Sequence, residues 1–82
     1  MEVEPLRKDL AAILKRHALE KKYSKQERLF EQNPFHPSLH TEKLEPKTLN
    51  IFSFRLDKQW RAIFIVLESG KAEIVAVTPH YE

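Results

Sequence analysis

Four side chains could do chemistry together here: Arg55, Arg61, His80 and Tyr81. Two guanidinium groups held side by side suit a phosphate or a pentavalent phosphorane. An imidazole, with an unperturbed pKa of about 6.5, suits proton transfer, and flanking arginines would lower that value. A tyrosine beside it can stack on a base or donate a hydrogen bond. Such a set meets the needs of RNA cleavage by an internal 2′-hydroxyl. One group takes the hydroxyl proton, one protonates the leaving 5′-oxygen, and cations stabilise the charge between them. That chemistry calls for no metal and no cofactor.

Whether these residues meet depends on strand register. "LNIFSFRL" (49–56) alternates, with Phe52, Phe54 and Leu56 on one face. "WRAIFIVL" (60–67) is a continuous apolar run, as a central strand requires, and "AEIVAVT" (72–78) is a third strand. A three-residue turn at Asp57-Lys58-Gln59 pairs Leu56 with Trp60 and sets Arg55 directly opposite Arg61. Like charges facing across a strand pair are destabilising, so the two either splay into water or hold an anion. A turn centred on Ser69-Gly70 pairs Glu68 with Lys71, which carries Arg61 opposite Thr78. His80, two residues on, then points to the same face.

The elements before the strands are helical. Residues 5–22 place Leu6, Leu10, Ile13, Leu14 and Ala18 on one stripe, with Pro5 suited to the first turn. His17 falls at the stripe's edge, as a surface residue. "YSKQERLFEQNP" reads as a second helix anchored by Leu29 and Phe30. Ser24 and Glu27 have capping-box spacing, which predicts a break near Tyr23, and Asn33-Pro34 ends the helix. The connector "NPFHPSLHTEKLEPK" is ordered, with Phe35, Leu39 and Leu44 as expected buried anchors and His36 structural. Trp60 is expected in the core or at an interface. The predicted architecture is α+β: two N-terminal helices packed on one face of a small antiparallel sheet.

Totals set the limits. The chain has 82 residues, enough for one domain over 1–82, which buries roughly 60% of its unfolded surface. It has no cysteine, which fits a reducing compartment and excludes thiolate chemistry. No apolar run approaches the ~18 residues of a membrane span, and the first residues lack a signal-peptide core, so no membrane role and a cytoplasmic location are expected. Net charge is +2, modest for a nucleic-acid binder, so the placement of the cations matters more than their sum. His36 and His40 stand four apart, but Pro37 between them and the lack of a further ligand argue against a metal site.

Three stretches in order resemble the RelE/ParE superfamily of toxins from type II toxin–antitoxin systems, in its RelE-like branch. "NPFHPSLHTEKL" (33–44) is similar to that branch's connector, "FSFRLDKQWRAIFIV" (52–66) to its central hairpin, and "IVAVTPHYE" (74–82) to its last strand and terminal His-Tyr. The resemblance implies a ribosome-dependent mRNA endoribonuclease that stops translation, with a cognate antitoxin, the ribosome and mRNA as partners. It implies that Arg61 binds phosphate, that Arg55 is a second basic group, and that His80 and Tyr81 serve acid–base work and substrate positioning. It further implies basic or titrating side chains in contact with RNA at Lys43 and His40, and Lys58, in the turn between the arginine strands, is expected to bind RNA as well. Two departures stand out. Only "MEVE" precedes Pro5, so the family's first strand is short or absent, and Glu45-Pro46 replaces the family's connector glycine. The same superfamily contains ParE-type poisons of DNA gyrase that do not cut RNA, and members that retain only antitoxin binding.

Overall fold

The computed structural model describes residues 1–79. Two helices, α1 (Lys8–Arg16) and α2 (Glu20–Gln32), precede four strands: β1 (Glu42–Lys43), β2 (Ile51–Arg55), β3 (Trp60–Val66) and β4 (Ala72–Pro79). The strands form one antiparallel sheet in the order β1-β2-β3-β4. Thus the α+β architecture is the one expected, with one strand more than the alternation revealed. β1 is two residues long, too short to show a period.

The helix boundaries differ from the expectation. Pro5 lies outside α1, which opens at Lys8 behind an extended Arg7. Arg7 pairs with Asp9 in the first turn at 2.9 Å. The break falls at Ala18, not near Tyr23, and Ser24 and Glu27 lie inside α2. Glu27 instead accepts a hydrogen bond from the Tyr23 hydroxyl at 3.1 Å. The physical reason is burial. Leu14, Leu19 and Tyr23 are each 5% exposed or less, and the chain must reverse between the first two to bury all three. It does so through a Schellman cap: Leu19 N–H donates to Leu14 O at 2.8 Å and Ala18 N–H to Lys15 O at 3.2 Å, with Ala18 left-handed at φ 54°.

The helical pair covers one face of the sheet. Phe30, fully buried, stacks on Phe54 at 5.1 Å and meets Phe64 edge-on at 4.9 Å. Leu10, Leu14, Leu19 and Tyr23 from the helices join Leu56, Ala62, Ile74 and Val77 from the sheet in the same core. Trp60 packs against its margin and lies 4.6 Å from the ring of His17. Of the connector's expected anchors, Leu39 and Leu44 are buried, but Phe35 is 70% exposed. The turn at Asn33-Pro34 aims Phe35 outward, and the Asn33 Oδ1 accepts from its amide at 3.0 Å.

The N-terminal "MEVE" forms a minimal strand. Val3 bridges Ala72 in parallel, with Glu4 N–H donating to Ala72 O at 2.8 Å and Ala72 N–H to Glu2 O at 2.9 Å. No described helix is long and apolar enough to cross a membrane.

Candidate active site

Both register expectations at the candidate site hold. Arg55 pairs with Arg61, and Arg61 with Thr78. The first follows from the β2–β3 turn. Leu56 N–H donates to Trp60 O at 2.8 Å, and Asp57 Oδ1 accepts from the amides of Gln59 and Trp60, both at 2.8 Å. The second arises by a different route from the one expected. Leu67, not Glu68, pairs with Lys71, so the turn is one residue longer. A β-bulge then restores the count, because Phe64 pairs with Ile74 while Ile63 pairs with Ala76. Val75 is the extra residue.

Strand alternation sorts the side chains. Phe52, Phe54, Ala62 and Val77 face the helices, whereas Ser53, Arg55, Arg61 and Thr78 share the opposite face. Arg61 is well anchored there, its side chain only 13% exposed. Its Nε donates to the Oγ of Ser53 at 2.9 Å, and its Nη2 donates to His40 O at 2.6 Å. Ser53 is fully buried, so this hydroxyl has one evident purpose, to orient the guanidinium. Burial pushes the Arg61 pKa down from its ordinary value; Glu42 opposes that shift, and Arg55 adds to it. An arginine remains charged under such conditions, so the site holds a fixed, partly desolvated cation.

The connector's role differs in detail from the one the resemblance implies. Glu42 pairs with Ser53 and Lys43 with Phe52, so Glu42 lies on the Arg61 face and Lys43 on the other. The Glu42 Oε1 is 3.7 Å from Arg61 Nη2, and Lys43 Nζ sits 5.8 Å from the centre of the Phe52 ring. His40, left-handed at φ 46°, contributes its carbonyl to Arg61 while its side chain is exposed. Lys58 is exposed in the β2–β3 turn, beside the Lys22–Asp57 ion pair at 2.8 Å. The structure therefore brings together Arg55, Arg61 and the backbone of His40, and sets Lys43 apart from them. His80 and Tyr81 lie outside the described residues.

Sequence reasoning passed over Glu42. The available signal was local. If "TEKL" pairs with "FSF" as a short strand, Glu42 and Lys43 must point to opposite faces, and only one of them can share a face with Arg61. His36 proves local too: its Nδ1 accepts from the Ser38 amide at 3.2 Å and lies 3.0 Å from the Ser38 hydroxyl.

Two helices packed on one face of an antiparallel sheet make up the α+β fold of the RelE/ParE-like toxins. A YoeB/ParE toxin from Agrobacterium tumefaciens shares it with a TM-score of 0.73, covering 99% of this chain and 100% of that one at 21% sequence identity. No protein-family model matches the sequence, and no curated protein matches it.

Proposed function

We propose that the protein is the toxin of a type II toxin–antitoxin system and cleaves mRNA on the ribosome, in the cytoplasm, under the control of a cognate antitoxin. The observation that carries this reading is the opposition of Arg55 and Arg61 on a face the helices leave open, with Arg61 locked by Ser53 and His40. Facing cations raise the energy of the empty protein and are neutralised by a bound phosphate. The fold shared with a YoeB/ParE toxin supports the toxin class.

The reaction proceeds by transfer to an internal nucleophile. The RNA 2′-oxygen attacks the adjacent phosphorus, and its proton passes to the Glu42 carboxylate, the acidic group beside Arg61. Arg61 and Arg55 take up the charge on the non-bridging oxygens. The bond to the 5′-oxygen breaks as His80 delivers a proton to it. The products are a 2′,3′-cyclic phosphate and a 5′-hydroxyl. Tyr81 stacks on a base, Lys58 and His40 contribute to backbone contacts, and Lys43, on the other face of the sheet, meets the RNA away from the arginine pair.

An in vitro translation reaction with primer extension tests this. Purified protein should stop translation and leave a discrete 3′ end within the coding frame. Arrest with intact mRNA would sink the nuclease reading. Loss of gyrase supercoiling instead would place the protein with the ParE-type poisons.

A further inference from the structure

Gln26 is a polar residue in an otherwise apolar row of α2, 7% exposed and flanked by buried Tyr23 and Phe30. Burying an amide is unfavourable unless it is hydrogen-bonded. Its Nε2 reaches two backbone carbonyls from separate parts of the chain: Arg55 O at 2.8 Å and Ser38 O at 3.2 Å. Arg55 ends β2 and faces Arg61. Ser38 lies two residues before His40, whose carbonyl receives Arg61. The contacts close a ring: Gln26 to Arg55, across the strand pair to Arg61, through its Nη2 to His40, and back through Ser38 to Gln26. One amide group thus ties the helical layer to both segments that hold the arginines.

From this geometry we infer that Gln26 is a positioning residue for the anion site, fixing the end of β2 and the connector so that Arg55 and Arg61 present one rigid pair of guanidinium groups. The amide is suited to the task because its NH₂ carries two N–H donors, one for each carbonyl. Gln26 lies on the helical side of the sheet and touches no substrate. Its influence on cleavage rests on the ribonuclease reading above; its influence on Arg61 does not.

The test uses Gln26→Met, which keeps the volume and removes the donor, in the full chain. Two readouts separate positioning from simple packing. In ribosome-dependent cleavage, kcat should fall on the order of 10-fold while KM for programmed ribosomes changes less than about 2-fold, since the loss is in transition-state geometry. In ¹⁵N NMR, exchange of the Arg61 Nε–H with water should speed up on the order of 10-fold as its bond to Ser53 loosens. Gln26→Asn, one methylene shorter and able to reach only one of the two carbonyls, should give intermediate values and serves if Gln26→Met does not fold. A folded variant with Arg61 Nε–H as protected as in the wild type, and kcat unchanged, overturns the inference. If the wild-type protein itself does not cleave mRNA, the nuclease reading fails, and the Arg61 exchange measurement still decides the role of Gln26.

Discussion

Arg55 and Arg61 stand directly opposite each other on β2 and β3, and among the described residues it is Arg61 whose side chain is held by hydrogen bonds. Arg61 has Ser53 and His40, and each such bond from a charged donor contributes about 1.5–3 kcal/mol net of the water it replaces. The repulsion across the pair is smaller, about 0.2–1 kcal/mol. The two arginines should therefore respond oppositely to removal. Arg55→Ala should stabilise the fold by a few tenths to ~1 kcal/mol, whereas Arg61→Ala should cost about 2–5 kcal/mol, because it removes both bonds and leaves the buried Ser53 hydroxyl without its donor. Urea denaturation of the two variants checks this; destabilisation of equal size in both would contradict it. Arg61→Ala should in addition lower cleavage by about 10²-fold or more, the usual effect of losing one oriented donor to a developing oxyanion.

Glu42 and Lys43 are neighbours in sequence that face opposite sides of the sheet. If Glu42 accepts the 2′-hydroxyl proton, Glu42→Gln should cut the cleavage rate about 10²-fold or more, in line with the loss of a general base. Lys43→Gln, which removes a cation lying over Phe52, should change it by only a few-fold. Single-turnover cleavage on stalled ribosomes distinguishes them. A Lys43 effect as large as that of Glu42 would count against the assignment.

Asp57 holds the turn that sets the arginine pair. Burial pushes its pKa up, but the Lys22 ammonium and the amides of Gln59 and Trp60 more than offset that, and the carboxyl ends below its usual range. A depressed folded-state pKa contributes stability above the unfolded value, about 3.9, which is lost as pH falls through the folded value. Asp57→Ala should thus be less stable than the wild type by about 1–2 kcal/mol at neutral pH, the size of a lost cap. The difference should shrink as pH falls below about 4 and through the depressed folded-state value, as the ionic part of the contribution is lost. Denaturation midpoints across that range provide the measurement, and a difference that persists unchanged at pH 2 would refute the ionic origin.

Val75 is one residue more than β3 can pair. Deleting it leaves Phe64 opposite Ile74 and Ile63 opposite Ala76, so the ladder can close without the bulge. The variant should fold, with a native far-UV circular dichroism spectrum. A bulge also bends and twists its strand, however, and so aims the Thr78–Pro79 end of β4. Straightening it should lower cleavage by about 10²-fold, the scale expected of a 1 Å misplacement. An unfolded deletion variant would show that Val75 packs rather than pads.

The opposed arginines were legible because a three-residue turn leaves a single register for the hairpin. Arg61 opposite Thr78 was reached by way of a turn that is in fact one residue longer, and the bulge supplied the residue that restored the pairing. The trace of that bulge lies in the spacing of the helix-facing residues, Ala72 and Ile74 two apart, then Val77 three on. Glu42 was passed over because a two-residue strand has no period of its own, and its face follows only once "TEKL" is paired with "FSF", eleven residues on. Phe35 looked like an anchor because size and hydrophobicity fix no direction, and the turn before it points it to solvent. Gln26 was hidden for the complementary reason, since a glutamine between charged residues reads as surface until the two carbonyls it serves are seen to converge on it.

The helix break was misplaced for a reason that can be tested. Left-handed caps are usually built on glycine, and this chain has its one glycine at position 70, so nothing in the sequence marked residue 18. Ala18 takes φ 54° because burying Leu14 and Leu19 on the same core outweighs its strain. A left-handed conformation costs a non-glycine residue about 1–2 kcal/mol, and glycine in turn costs more unfolded-state entropy, about 0.5–1 kcal/mol relative to alanine. Relief of strain outweighs that entropy, so Ala18→Gly should stabilise the protein by about 0.5–1 kcal/mol. For a domain of this size, that raises the melting temperature by roughly 2–8 °C. Ala18 is exposed and lies on the helical side, away from the arginines, so cleavage should be unchanged. Differential scanning calorimetry of Ala18→Gly decides the matter. A lower melting temperature would mean that the residue is not held left-handed and that α1 and α2 join differently.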